Sequence, residues 1–238
     1  MSVHRDWRGE LNRAAKEDEV RNCRGQTIVF TEAGAAGDEP YEAYIARTGQ
    51  VPTRSNLHDF FNALMFLQFP LAKARLNELQ SAVIDRHGIQ PVRGPVRDAA
   101  TLIDENGVLL VTQRIALIDA LRQHDWSTAF AGERAAWHQQ VVTRVFGHAL
   151  LEKLVHPYKA ITGHALHVPL ASDAPTAEVD RYLAATFDDD LSPLVLMPLP
   201  VLGIPDWCTE NANPDFYRNA KVFRPANMRR PRTGEAIE

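Results

Sequence analysis

The sequence predicts an α+β fold, a helix-rich single domain with a β-hairpin and a small mixed sheet. Three observations lead there. Apolar residues recur at helical spacing in several stretches, and short β-branched runs stand between them. The strands do not alternate regularly with helices, as a doubly wound parallel sheet would require. The chain has 238 residues, 45% of them apolar, which is enough to bury a core without disulfides or structural metal.

The elements follow in order. Residues 1–25 read as an N-terminal polar helical segment, with Asp6 as its cap, and residues 26–227 as the α+β domain. Gln26 to Phe30 is rich in β-branched residues and reads as a strand. Pro40 opens a short helix and Gly49 closes it. Ser55 or Asn56 caps the next helix, whose apolar residues Leu57, Phe60, Phe61, Leu64 and Leu67 share one face. Pro70 ends that helix and starts another, which carries Ala72, Leu76, Leu79 and Val83 and stops at Gly88. Thr101 to Ile103 and Val108 to Val111 flank Asn106-Gly107, the turn dipeptide of a β-hairpin. Arg114 to Gln123 returns to helical spacing. Glu133 to Val155 reads as one long helix ended by Pro157. Ala160 to Pro169 is a strand, Ala177 to Phe187 a helix and Leu194 to Leu199 a buried strand. Residues 228–238 are polar and read as a disordered tail.

Charge and cysteine content narrow the function classes. A net charge of −4 gives no general reason to expect nucleic acid or an anionic membrane as partner. Cys23 and Cys208 form no CxxC pair, which excludes a disulfide framework and argues against a thiolate zinc site. The first twenty residues hold no apolar leader, and the most apolar run, Leu191 to Ile204, is broken by prolines. A cytoplasmic protein is expected.

The candidate chemistry centres on Asn56 to Asn62. His58 and Asn62 are four apart and lie on one helical face, and Asp59 adjoins them. Imidazole and carboxylate together can share a proton or hold a divalent metal. Asp59 also stands three residues after Asn56, where it would complete a variant capping box. His148 and Glu152 are again four apart, the spacing of helix-borne metal ligands, and His164 is the third candidate ligand. Arg54, Lys73 and Arg97 are candidates for holding an anionic substrate, since a guanidinium fork matches carboxylate and phosphate.

Several blocks carry a family resemblance. They are Tyr41-Glu42, Thr48-Gly49, Val51-Pro-Thr-Arg54, Asn56 to Leu64, Phe69-Pro70, Lys73 and Leu76-Asn77. Arg93-Gly94, Arg97-Asp98, Thr101-Leu102, Asp104 to Gly107 and Gly147 to Lys153 continue the pattern. Together these resemble a bacterial domain-of-unknown-function family numbered three thousand and twenty-five, over roughly residues 28 to 225. The resemblance implies a bacterial source and supplies no activity.

Two functions are open at this stage. One is a metal-dependent hydrolase of phosphoester or amide-like bonds, in which His58, Asp59, His148, Glu152 and His164 converge around a divalent metal that activates water. The other is a non-catalytic binding or regulatory protein whose polar residues are caps and buried hydrogen-bond partners. Convergence of His58 with His148 and Glu152 separates them.

Overall fold

The structure is a computed structural model and describes residues 7–88, 90 and 94–226. Asp6, Arg93 and the tail 228–238 lie outside the described residues. The fold is α+β, as the mixture of helical stripes and short strands requires.

An N-terminal layer is built by helix α1 (Trp7–Glu17), strand β1 (Val29–Glu32), helix α2 (Tyr41–Thr48) and strand β2 (Gln50–Thr53). β1 and β2 pair in parallel, Phe30 beside Val51, with α2 as the crossover. Gly49 caps α2 at φ 70, where a Cβ would also lie 2.7 Å from the Thr27 carbonyl. Leu11, Ala15, Phe30, Ile45, Val51 and Phe66 close one apolar core in this layer. Phe66 comes from helix α3 (Leu57–Gln68), and Pro70 then opens helix α4 (Pro70–His87) without an intervening loop.

The main sheet runs in the order β4 (Val142–Val145), β3 (Gly107–Val111), β5 (Thr162–Val168), β6 (Met197–Pro200). β3 is parallel to β5 but antiparallel to β4, and β6 is antiparallel to β5, so the sheet is mixed. Every residue of β3 is buried. Val108 and Leu110 join a core with Leu117, Phe130, Trp137 and Tyr217 on one face. Leu109 and Val111 join a second core on the other face, under α4, helix α5 (Pro95–Asn106) and helix α9 (Thr176–Thr186). Strict alternation of side chains along a strand puts neighbouring residues into opposite cores.

Two expectations are corrected here. Thr101 to Val111 is not a hairpin, because residues 95–106 are helical and the chain passes directly from α5 into β3 at Gly107. Pro95 at the first helical position, Asp98 in the first turn and the buried stripe Ala99, Ala100 and Ile103 outweigh the Asn106-Gly107 turn signal. Gly107 adopts φ −66, not the left-handed conformation a hairpin turn needs, and its amide closes the helix on the Ile103 carbonyl. Glu133 to Val155 is also not one helix. It divides into helix α7 (Arg134–Gln139), β4, and helix α8 (His148–Val155). The run Val141-Val-Thr-Arg-Val145 is β-branched, and pairing with β3 overrides a helical reading of it. Helix α6 (Ile115–Arg122) lies within the expected span.

Candidate functional site

Four helices each contribute a polar stripe to one cleft. α3 contributes His58, Asp59 and Asn62, and α4 contributes Lys73, Asn77 and Gln80 at i, i+4 and i+7. α5 contributes Arg97, Thr101 and Asp104 at the same spacing, and α8 contributes His148 and Glu152 at i and i+4. Such intervals place each set along one face of its helix. The cavity measures about 540 Å³, and Tyr41, Glu42, Arg54, His58, Asp59, Asn62, Arg97, Asp104 and His148 are among its lining residues.

At the junction of α3 and α8, the His58 ring is held between two residues one helical turn apart. Its Nδ1 lies 3.0 Å from Glu152 Oε2, and its Nε2 lies 3.1 Å from His148 Nε2. The rings meet edge to face, with centroids 4.5 Å apart. His148 is buried, and its Nδ1 lies 3.7 Å from Asp104 Oδ2, too long for a hydrogen bond. Burial, with a smaller push from the Lys73 ammonium, lowers the His148 imidazole to about 4 against the pull of Asp104. It is neutral at pH 7.

Why α8 starts here is a matter of close approach. Gly147 has no side chain, and a Cβ there would lie 2.5 Å from the backbone of Asn106. The amides of Phe146 and Gly147 both donate to the Gly107 carbonyl, at 3.0 and 2.9 Å. The start of α8 is thereby fixed against the end of α5, beside Asp104.

The cleft floor is a buried cation. Lys73 is 4% exposed, ion-pairs with Asp104, donates to Asn62 Oδ1 at 2.8 Å and lies 4.5 Å from the centre of the Phe66 ring. Asn62 in turn donates to the Tyr41 hydroxyl at 3.1 Å. Burial alone would raise the Asp104 carboxyl, but Lys73 and then His148 more than offset it and hold it below the usual range. Tyr41 stands at the rim with its hydroxyl turned inward. Burial of that hydroxyl, followed by the charges of Glu42 and Asp104, pushes the phenol well up.

Glu42 behaves in the opposite way to His148. Burial, reinforced by the Asp104 charge, raises its carboxyl to about 7, although Asn77, Lys73 and Arg97 pull it down. One oxygen, Oε2, accepts from Asn77 Nδ2 at 2.6 Å, and the other has no hydrogen bond to a described residue. Asp59 is closed off by contrast. Its Oδ2 accepts from the Arg54 backbone amide at 2.6 Å and from Arg54 Nε at 3.0 Å, while Oδ1 accepts from Nη2 at 2.9 Å. Its own amide donates to Asn56 Oδ1 at 2.8 Å, which caps α3. Burial opposes ionisation of Asp59, and the Arg54 hydrogen bonds still hold it low.

The structure therefore brings His58, His148 and Glu152 together, with Asp59, Asn62, Arg54, Lys73 and Arg97 around the same cleft. His164 lies on β5, opposite Gly107, and does not line the cavity. Burial, then the Lys153 charge, lowers its imidazole. His148 and Glu152 meet opposite edges of the His58 ring rather than a common point. Among the described residues no group of three or more His, Cys, Asp or Glu side chains is placed to hold a metal ion. Sequence reasoning missed Tyr41, Glu42, Gln80 and Asp104 as cleft residues. The i, i+4, i+7 spacing of Lys73, Asn77 and Gln80, beside the apolar stripe of Ala72, Leu76 and Leu79, is the signal for α4.

No helix among the described residues is long and apolar enough to cross a membrane. No curated protein and no solved structure matches the chain. One family does, described as protein of unknown function (DUF3025), over residues 27–227, a span that takes in every cleft residue named above. The chain belongs to that family.

Proposed function

We propose that the cleft is the active site of an enzyme working by general acid–base catalysis on a small polar molecule, with hydrolysis of an amide-like or phosphoester bond as its reaction class. The observation that carries this reading is the opposed tuning of two groups in one cavity. Glu42 is raised to about 7 and His148 lowered to about 4. Between those values the carboxyl holds its proton and the imidazole has its lone pair free, as an acid and a base working together require. His58, a third exposed, extends the buried imidazole toward the open side of the cleft, and Glu152 orients its ring. Lys73 and Asp104 neutralise one another beneath it.

The test is a panel of chromogenic amides, esters and phosphoesters, assayed with wild type, Glu42→Gln and His148→Gln. Turnover of one class is expected, and each substitution is expected to reduce it about a hundredfold or more, the usual contribution of a positioned acid or base. Full activity in both variants would overturn the assignment. No turnover of any class would favour a non-catalytic binding protein.

A second reading is favoured by one observation. The two Nε2 atoms face each other while each outer nitrogen has a carboxylate near it, the arrangement that orients imidazole ligands around a divalent metal. Substrate or water would have to complete the coordination. Titration of the apoprotein with zinc, compared with His58→Gln, checks this directly.

A further inference from the structure

We infer that Arg97 anchors the anionic end of the molecule bound in this cleft, and that this molecule is a small carboxylate. The inference rests on the cleft being a substrate site, as proposed above, and it adds the class of substrate. Three cationic side chains stand near the cavity, and two are already used. Lys73 is buried and divided between Asp104, Asn62 and the face of Phe66. Arg54 grips Asp59 through Nε and Nη2. Arg97 lines the cavity and has no hydrogen bond or ion pair from its side chain to any described residue. Its Nε is shut off from water without an acceptor.

A guanidinium N–H that has lost its water and gained no acceptor is costly, and native structures rarely leave one so. Arg8 and Arg144 also have a buried Nε without an acceptor, but their other guanidinium nitrogens are hydrogen-bonded, whereas the Arg97 fork makes no hydrogen bond to a described residue. Thr101 and Asp104 follow Arg97 at i+4 and i+7, so the guanidinium stands on the cleft face of α5. The helix begins beside it without a side-chain cap, which leaves the positive end of its dipole on the same side.

Charge decides between the two common partners of an arginine fork. Glu42, Asp59, Asp104 and Glu105 line the cavity against the guanidiniums of Arg54 and Arg97. Arg54 pairs with Asp59, Lys73 pairs with Asp104, and Glu42 holds its proton below about 7, which leaves Glu105 as the one unpaired carboxylate on the cavity wall. The one unengaged guanidinium balances a single carboxylate, whereas a dianionic phosphate would keep an uncompensated negative charge beside Glu105. A planar carboxylate also takes two parallel N–H bonds from the fork.

The experiment is a titration of the purified full chain with N-acetylglycine and, separately, with inorganic phosphate, followed by ¹H–¹⁵N spectra. The Arg97 Nε–Hε resonance is assigned by its loss in Arg97→Lys. N-acetylglycine is expected to shift it saturably, and phosphate to bind about tenfold more weakly or not at all. In Arg97→Lys, cleft amide shifts should report an affinity about tenfold lower, the loss of one charge-assisted hydrogen bond, and Arg97→Gln should abolish binding. Arg97→Lys serves alone if the glutamine variant fails to fold. Unchanged affinity in these variants, or no saturable shift with either probe, would overturn the anchor, and tighter binding of phosphate would overturn the carboxylate. His148→Gln separates this inference from the catalytic one. If that variant and wild type bind N-acetylglycine alike while no substrate turns over, the anchor stands and the acid–base reading falls.

Discussion

His58 and His148 lie 90 residues apart and place their Nε2 atoms 3.1 Å from each other. A nitrogen-to-nitrogen hydrogen bond needs one lone pair and one proton. Neutral His148 meets either need, while Glu152 fixes the tilt of the His58 ring. His148 is 6% exposed, so removing its side chain leaves both a cavity and an unpaired partner. His148→Ala is expected to destabilise the fold by about 2 kcal/mol, and His58→Ala by less than about 1 kcal/mol. Urea unfolding with an unchanged slope measures both. A larger loss in His58→Ala would show that the exposed ring, not the buried one, holds the junction.

Lys73 is the only cation hydrogen-bonded to Asp104 among the described residues. Lys73→Met strands a buried carboxylate, and a loss of roughly 3 to 5 kcal/mol is expected. Lys73→Met with Asp104→Asn should recover much of it, because no uncompensated charge remains. A double-mutant cycle reads the coupling. Simple additivity of the two single losses would show that the pair is not coupled.

Stability against pH separates Glu42 from His148. A carboxyl raised to about 7 from its ordinary 4.5 holds its proton more tightly in the folded state, so it favours folding below pH 4.5 and that contribution is lost as pH rises to 7. An imidazole lowered to about 4 from 6.5 acts in the opposite sense, and its contribution is complete above pH 6.5 and lost as pH falls to 4. Each amounts to roughly 3 kcal/mol at most, and across the shared window they oppose one another. Glu42→Gln should make stability climb from pH 4.5 to 6.5 relative to wild type, and His148→Gln should make it decline. Chemical denaturation at half-unit pH steps checks the two slopes. Parallel curves for all three proteins would contradict both shifts.

Gly147→Ala tests how the site is located. A Cβ there meets the Asn106 backbone at 2.5 Å, and backbone cannot move aside as a flexible side chain does. A loss of about 1 to 3 kcal/mol is expected from overpacking, with the His58 and His148 ring resonances displaced. Unshifted ring signals would mean that α8 is positioned by its apolar face alone.

The capping and stripe signals around α3 and α4 were local, and there the sequence is a sufficient guide. Asn56 caps, Pro70 starts a helix and Gly49 closes one, because each depends on residues within a turn of itself. The 101–112 and 133–155 segments misled because their outcome depends on partners far away. β4 is a strand because β3 is beside it, and neither Val142 nor Val145 carries that information alone. The cleft follows the same division. The pairs His58 with Asn62 and His148 with Glu152 are visible as spacings. Asp104 resembled turn chemistry, and Glu42 had no local signal, since burial beneath α4 and α5 gives it its character.

His58 touches α8 at both edges of one flat ring, Glu152 on one side and His148 on the other. Such a ring behaves as a pin rather than a hinge. Sliding α3 along α8 strains both contacts at once, so the groove between them is expected to open as a single event instead of by degrees. Amides at the start of α3 and throughout α8 would then exchange with solvent together, at one shared rate, and molecules would enter the cleft by its Tyr41 rim while that groove stays shut.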